Sequence, residues 1–355
     1  MAEQRFRSIV LSQSERYRSV APEYHPSQWS VPAASQLFLQ LSKNSQSPRR
    51  FIAAHQRPAK VTFLRIGIHT SRSKSLESAA LKAGELGANT FQIFSASPRM
   101  WRAVPPDTTD IRRLRTARER LDLFPLTIHA NYLVNLATCD PVIRERSIVS
   151  FRGELDRAAA IGAEYLVLHP GSYKGQSMEQ GVAAFVLGLA EAARGFKAPG
   201  LTVLLENTVG SGCQIGSRFE ELRMIRDLAA AETDLPLAYC LDTCHLFAAG
   251  FNVANAAELD GAVAAADEIL GLDLVRVIHA NDSKGELGSR LDRHENIGQG
   301  KIGERGFRLI LNHAGLREKA FILETPVDEE GDDLRNVEAL KRLARRVARP
   351  AVRIG

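Results

Sequence analysis

The chain has 355 residues, of which 45% are hydrophobic and 25% are charged, so it is long and apolar enough to bury a sizeable core. It contains no run of eighteen apolar residues, which argues against a membrane span. Four cysteines are too few for a disulfide framework in a chain of this length and fit a reducing, cytoplasmic compartment. Cys240 and Cys244 are spaced too widely for a zinc knuckle, and both are predicted to be small buried side chains.

The positive charge is concentrated at the N-terminus. Residues 1–60 hold nine Lys or Arg and three Asp or Glu, which leaves 37 basic and 38 acidic residues in 61–355. This Ser-, Gln-, Pro- and Arg-rich stretch is predicted to be a disordered extension, and its composition also fits an organelle transit peptide or a start codon placed too far upstream. A single folded domain is therefore expected in 61–355, without a basic footprint of its own.

From residue 61 onward, short β-rich apolar segments alternate with segments of helical period. Strands are predicted at 63–68, 90–94, 125–129, 164–168, 201–205, 237–241, 274–279 and 320–323. Helices are predicted at 75–86, 111–121, 142–161, 182–193, 219–228, 256–270, 306–313 and 336–347. Eight strand–helix units predict an α/β fold of the TIM-barrel type. A doubly wound open sheet is the alternative, but the first strand lacks a phosphate-binding G-x-G-x-x-G.

Acidic and imidazole side chains follow almost every predicted strand. They are His69, His129, His169, Glu206, Asp242 with His245, His279 and Glu324, and the glycine-bounded loop GSRLDRHENIGQG (288–300) adds Asp292 and His294. Taken singly, such residues have ordinary explanations, and Asp242 could simply cap the next helix. In a barrel, however, all these strand ends open onto one face. So many carboxylates and imidazoles would repel and desolvate one another unless cations lay between them. Zinc suits a mixed set of His and carboxylate ligands, and the number of ligands calls for two or three metals.

Several longer motifs resemble the endonuclease IV family. They are LHPGS (168–172), LLENTVGSG (204–212), CLDTCHLFAAGF (240–251), IHANDSKGELGSRLDRHENIGQGKIG (278–303) and ILET (322–325), and the resemblance covers essentially all of 61–347. The family comprises TIM-barrel, trinuclear-zinc endonucleases of base-excision repair that act at apurinic/apyrimidinic sites in DNA. The resemblance therefore implies a phosphodiesterase that cuts 5′ to an abasic site by means of a metal-bound hydroxide, leaves a 3′-hydroxyl and also cleans 3′ ends.

The resemblance implies three zinc ions and assigns a ligand to each of the nine family positions. His129 and His169 would hold the first zinc, and Glu206, the residue expected to be catalytic, would bridge it to the second. Asp242, His279 and Glu324 would complete the second site, and His245, Asp292 and His294 would hold the third. His69 matches a histidine that lies close to the metals without being a ligand.

The resemblance also implies how DNA is recognised. Arg99, in the loop after the second strand, would enter the base stack, and Tyr132 and Leu133, after the third, would fill the gap left by the flipped nucleotide. The expected partner is double-stranded DNA with abasic sites or blocked 3′ ends, bound by a monomer without any membrane association. Three departures from the family pattern are the loop HTSRSKS (69–75), Tyr173, and Ala130 in place of an aspartate that would support His129 from the outer shell.

Two other functions remain open on the sequence. Sugar isomerases and epimerases of the xylose-isomerase-like barrels also place Glu, Asp and His around a divalent metal, but they need only one or two metals. A catalytically silent binder of damaged DNA is the second alternative, and the intact ligand set argues against it.

Overall fold

A computed structural model of the protein describes residues 64–72 and 74–344. Eight parallel strands form a closed barrel: β1 Arg65–His69, β2 Thr90–Phe94, β3 Leu126–His129, β4 Tyr165–Leu168, β5 Thr202–Glu206, β6 Leu237–Asp242, β7 Val275–His279 and β10 Ala320–Leu323. Neighbours in the chain pair with each other, and β1 closes on β10 with Arg65 opposite Ala320. All eight predicted strands and the TIM barrel are confirmed, and closure of the sheet rules out the open doubly wound alternative.

The described residues also form nine α-helices around the barrel. They are α1 Leu76–Glu85, α2 Thr108–Leu121, α3 Pro141–Ile161, α4 Met178–Ala192, α5 Phe219–Ala229, α6 Thr243–Ala249, α7 Ala256–Leu270, α8 Gly303–Asn312 and α9 Asp332–Ala344. Eight correspond to the predicted helices. Several begin earlier than predicted because their first turn is polar and lacks apolar periodicity: Asp107 caps α2, and Ser177 caps α4 in a capping box.

Two short elements were missed by the sequence prediction. Helix α6 has only seven residues, too few for a helical period to stand out, and it begins immediately after β6 with Asp242 as its N-cap. The pair β8 Asp282–Ser283 and β9 His294–Glu295 is a two-residue antiparallel ladder within the segment predicted to be a loop. Both elements lie above the carboxyl ends of β6 and β7, where they carry predicted site residues.

The core has two layers. A large apolar cluster fills the space between the strands and the helices, and its biggest fully buried side chains include Phe91, Phe151, Phe185, Phe307 and Phe321. A smaller cluster fills the barrel interior and contains Val167, Leu204, Ala238, Cys240, Val277, Ala320 and Ile322. Cys240 and Cys244 are both buried, as predicted. The packed interior closes the barrel from below, so the polar residues lie at its carboxyl-terminal mouth.

The predicted extension, residues 1–60, and the end of the last predicted helix lie outside the described residues. Among the helices described here, none combines the length and the apolar character that a bilayer crossing requires.

Candidate metal centre

The structure brings all nine predicted ligands together at the mouth of the barrel. Strands β3, β5, β6 and β7 end on His129, Glu206, Asp242 and His279, while His169 and Glu324 directly follow β4 and β10. The donor atoms form overlapping groups whose members lie within 4.8 Å of one another: His129, His169 and Glu206; Glu206, Asp242, His279 and Glu324; and Asp242, His245 and His294. Asp292 lies with His294 in a further group.

Glu206 occupies the centre of the cluster. Its side chain is fully buried, and Oε2 lies 2.9 Å from Nε2 of His169 and 3.3 Å from Nε2 of His129. The other oxygen, Oε1, lies 2.8 Å from Nδ1 of His279. Burial alone would raise the pKa of this carboxyl, but His279, His169 and His129 outweigh burial and hold the pKa well below its usual range. The carboxylate therefore faces two different sets of donors, one with each oxygen.

Asp242 serves two neighbours at once. Oδ1 accepts a hydrogen bond from the backbone N–H of His245 at 2.8 Å, which caps α6. Oδ2 accepts one from Nδ2 of Asn281 at 2.6 Å and lies 3.7 Å from Nε2 of His294. Asp242 can therefore cap α6 with one oxygen and face the metal cluster with the other.

The group formed by His245, Asp292 and His294 is the most open to solvent. Oδ1 of Asp292, whose side chain is 46% exposed, lies 3.3 Å from Nε2 of His245 and 3.5 Å from Nε2 of His294. Burial alone would raise the pKa of Asp292, but its bond to His245 and the nearby histidine charges lower it to about 2. Burial alone would lower the pKa of His245, but Asp242, Asp292 and Glu206 raise it to about 10. Without a metal, the imidazole supplies the positive charge that these carboxylates require.

Three histidines are oriented by main-chain carbonyl groups. Nδ1 of His129 bonds to the carbonyl of Ala130 at 2.8 Å, Nδ1 of His245 to that of Asn207 at 2.9 Å, and Nδ1 of His294 to that of Glu324 at 3.0 Å. Each ring thereby presents Nε2 to the cluster, as a metal-ligating histidine does. Ala130 has no side-chain acceptor of the kind an aspartate would supply, and the main-chain carbonyl of the same residue is the acceptor for His129.

The donor set fits zinc. Imidazole nitrogens and carboxylate oxygens come in groups of three or four, the number that a zinc site uses. Nε2 of His294 is buried without a hydrogen-bond partner, although it points toward Asp242 and Asp292. Such an orphaned nitrogen costs free energy unless a ligand such as a metal occupies it. Cys240 and Cys244 also lie beside these groups, and burial raises the pKa of both thiols to about 12.

Sequence reasoning missed the amides that support the cluster. Gln92, in the middle of β2, is fully buried and hydrogen bonds to His279, Glu324 and His69. Asn207 and Asn281 hold the main chain and carboxylate of Asp242. The available signal was a polar residue at the centre of an otherwise apolar strand, TFQIF. His69 itself lies 3.7 Å from Oε1 of Glu324 and bonds to the Gln92 amide, at the edge of the cluster.

The predicted DNA-contacting residues lie beside this mouth. Arg99 is exposed, Tyr132 is 63% exposed and Leu133 is half-buried. The ring of Tyr132 lies 5.1 Å from that of Phe94 and 5.8 Å from that of His129. Asn131 joins the two loops, since its Nδ2 donates to the carbonyl of Met100 at 2.6 Å and its Oδ1 accepts from the N–H of Leu133 at 2.7 Å.

The loop after β1 departs from the family pattern in a specific way. Arg72 is half-buried and donates a hydrogen bond to the carbonyl of Ser95, at the end of β2. One N–H group of the Arg72 guanidinium is therefore bound within the protein, whereas the side chain of Lys74 is exposed to solvent. Tyr173, the other departure, is half-buried and packs on Gly181 of α4.

Comparison with known proteins finds relatives that match over most of this chain. A family model described as "Xylose isomerase-like TIM barrel" matches residues 80–349. The protein named "Probable endonuclease 4" from Solibacter usitatus (strain Ellin6076) is 63% identical over 281 residues, which cover 79% of this chain and 97% of that protein. The crystal structure of endonuclease IV from Thermus thermophilus matches with a TM-score of 0.69 and 38% identity, covering 79% of this chain and 98% of that one.

A more distant match concerns the isomerase alternative. A D-psicose 3-epimerase from Clostridium cellulolyticum H10 covers 79% of this chain and 96% of its own, with a TM-score of 0.53 but only 16% identity. That likeness reaches the barrel fold alone, whereas the two endonuclease matches extend to sequence over nearly their whole length. The chain therefore belongs to the endonuclease IV family.

Proposed function

We propose that the protein is a zinc-dependent apurinic/apyrimidinic endonuclease of base-excision repair. It would hydrolyse the phosphodiester 5′ to an abasic site in double-stranded DNA and leave a 3′-hydroxyl. The observation that carries the proposal is the position of Glu206, whose two oxygens face two separate donor groups. A carboxylate in that position suits a bridge between two cations, and the relatives that match at 63% and 38% identity are named as endonucleases.

Three zinc ions would occupy the mouth of the barrel. His129 and His169 would hold one, Asp242, His279 and Glu324 a second, and His245, Asp292 and His294 a third, with Glu206 shared between the first two. Bound zinc would supply a water of lowered pKa as nucleophile and would offset negative charge on the phosphate oxygens. The protein's own part is to hold nine ligands in place with buried amides and main-chain carbonyls, and to keep Glu206 ionised.

The loops after β2 and β3 would distort the DNA. Arg99 and Tyr132 are exposed beside the cluster, and Asn131 ties their two loops together. An abasic nucleotide lacks stacking and pairing, so it costs little to turn out of the duplex, and exposed side chains can fill the gap. Tyr132 contacts the ring of His129, so a nucleotide displaced by it would lie next to the proposed metals.

The same site would clean blocked 3′ ends, because a phosphate ester at a strand terminus presents the same bond to the metals. We propose that the protein acts as a monomer on DNA in the cytoplasm, and organelle targeting through residues 1–60 remains an alternative. The isomerase alternative requires only one or two metals and leaves His245, Asp292 and His294 without a purpose, so no observation favours it.

The direct test is cleavage of a duplex that carries one abasic site, with the damaged strand labelled at its 5′ end. The zinc-loaded protein should cut once, on the 5′ side, and leave an end that a DNA polymerase can extend. An intact duplex of the same sequence is the control substrate, and a nicked duplex with a 3′-phosphate tests end cleaning. Absence of cleavage by zinc-loaded protein, or cutting only on the 3′ side, would contradict the proposal.

A further inference from the structure

Asp282 is a fully buried carboxylate that accepts hydrogen bonds from the main chain. Oδ1 accepts from the N–H groups of Ser283 at 2.8 Å and of Ile302 at 3.0 Å. Oδ2 accepts from Gly298 at 2.9 Å, from Gly300 at 3.0 Å and from Gly303 at 3.2 Å. In the part of the chain that the structure describes, no Lys, Arg or His forms an ion pair with this carboxylate. Burial raises the pKa of Asp282, and the groups that oppose this rise are backbone N–H groups.

The glycines of the segment NIGQGKIG (296–303) make this arrangement possible. Gly298 and Gly303 have φ of +87° and +66°, a region that favours glycine. A Cβ on Gly300 would lie 2.5 Å from Oδ1 of Asp282. The main chain therefore folds around the carboxylate and forms a concave anion-binding turn of convergent N–H groups. Here the anion is a side chain of the protein itself.

This turn closes a loop that carries two proposed zinc ligands. Asp282 lies on β8, and β8 pairs with β9, where Ser283 lies opposite His294. Asp282 also binds the segment that follows β9, so it holds both ends of the loop between them. Within that loop, residues 288–293 are all exposed, and the main-chain N–H groups of Gly288 and Arg290 bond to the carbonyls of Phe247 and Ala248 at the end of α6. Asp292 lies between this anchor and the ladder β8–β9, so its position depends on both.

We propose that Asp282 is a positioning residue that fixes the loop of Asp292 and His294 and thereby selectively sets the affinity of the third zinc. This inference rests on the proposed function. The other six ligands come from β3 to β7 and from the residues after β4 and β10, which the barrel itself fixes. A substitution of Asp282 should therefore leave the zinc affinity of these six residues unchanged.

The charge of Asp282 is essential to this role. Five N–H groups point at its oxygens, so each lone pair has a donor and no acceptor is left for a carboxyl proton. An asparagine of the same shape would place an NH₂ group against main-chain N–H donors, and buried donors without acceptors destabilise the arrangement. Asp282→Asn should therefore open the turn without creating a cavity.

Asp282→Asn is compared with Glu221→Gln as the matched control. Glu221 is another carboxylate that accepts main-chain N–H bonds, from Gly216 at 2.6 Å and Ser217 at 3.1 Å, but its loop carries none of the nine ligands. Gly300→Ala is a second test variant, because its added Cβ would push against Oδ1 while the carboxylate stays. Zinc per chain is measured by elemental analysis across a series of zinc buffers, together with hydrogen exchange of residues 284–303.

The expected result is that Asp282→Asn and Gly300→Ala bind two zincs with wild-type affinity and the third on the order of tenfold to a hundredfold more weakly, the range seen when outer-shell partners are lost. Hydrogen exchange should quicken in 284–303 and not in the barrel strands, and Glu221→Gln should retain all three zincs. Unchanged affinity for the third zinc in both variants, or equal weakening of all three, would overturn the inference while the proposed function stood. A wild-type protein that binds fewer than three zincs would overturn the proposed function and this inference with it.

Discussion

Gln92 holds His279 by one ring nitrogen and leaves the other for the cluster. The side-chain oxygen of Gln92 accepts from Nε2 of His279 at 2.9 Å, while Nδ1 of that ring lies 2.8 Å from Oε1 of Glu206. The amide nitrogen of Gln92 donates to Glu324 and to Nδ1 of His69. One buried amide therefore orients two proposed ligands of the second zinc, and its oxygen fixes the tautomer that His279 needs.

Replacing Gln92 by leucine should weaken the second zinc and slow cleavage. Loss of an outer-shell partner typically costs about 10- to 100-fold in metal affinity or activity. Thr90→Val is the matched control, because Thr90 is buried on the same strand and its hydroxyl donates to the carbonyl of Pro125 at 2.6 Å, away from the cluster. Zinc content and cleavage rate are measured for both variants. If the two variants had the same zinc content and the same cleavage rate, Gln92 would serve only the packing of the barrel.

Arg99 and Tyr132 should act in DNA distortion and not in bond breaking. Replacing either with alanine should remove on the order of 1–3 kcal/mol of stacking with the opened duplex, or about tenfold to a hundredfold in affinity for abasic DNA. A bubble substrate, whose abasic site is already unpaired, needs less distortion and should be affected less. The measurement compares binding to rigid duplex and to bubble DNA, with zinc quantified in parallel. Equal losses on both substrates, or a loss of zinc, would contradict this role.

The first 58 residues should be dispensable for chemistry. All eight barrel strands lie between Arg65 and Leu323, and all nine proposed ligands come after β1. A chain that begins at Ala59 should fold and cleave short abasic duplexes at moderate salt like the full-length protein. A modest loss confined to low salt would indicate that the basic charges of residues 1–60 add non-specific DNA affinity. Insolubility, or lost activity at moderate salt, would show that the barrel depends on this segment.

Zinc should change how the stability of the protein depends on pH. In the metal-free protein the pKa of His245 is raised from 6.5 to about 10, so its stabilising effect is complete below pH 6.5 and is lost as the pH rises toward 10. The pKa of Asp292 is lowered from 3.8 to about 2, so its effect is present above pH 3.8 and is lost as the pH falls through 2.

Urea unfolding at pH 6 and pH 9 tests this difference. The midpoint of the metal-free protein should fall between pH 6 and pH 9, because the unfolded chain releases the imidazole proton near pH 6.5 while folded His245 holds it up to about pH 10. The zinc-loaded protein should not show that fall, because a zinc-bound imidazole is already neutral. Parallel pH profiles for the two forms would contradict the placement of His245 at a metal.

The sequence was sufficient to predict the barrel and the position of the proposed ligands at its mouth. Short β-rich apolar runs end on His129, Glu206, Asp242 and His279, and the closed topology then brings those ends together. The pattern of apolar runs could not reveal which groups orient these four side chains. The carbonyl of Ala130 supports His129 through a main-chain contact that no residue type encodes, and Gln92 reaches His279 from 187 positions away. The helix α6 and the ladder β8–β9 were missed because elements of seven and two residues are too short to show a period.

A single substitution of Glu206 tests its proposed bridging role. Glu206→Gln keeps the shape of the side chain but removes the negative charge that would be shared between two cations. It should lose cleavage and at least one zinc. Glu221→Gln, the same change at a half-buried glutamate outside the cluster, should retain both. Near-normal cleavage by Glu206→Gln with unchanged zinc content would contradict the bridging role.

The most direct measurement is a zinc titration of metal-stripped protein, with incision of an abasic duplex followed at each ratio of zinc to chain. The stripped protein should be inactive, and incision should rise to a plateau that is reached only at three equivalents of zinc per chain. Full incision by the stripped protein, or a plateau already reached at one equivalent, would contradict a trinuclear zinc endonuclease built on these nine residues.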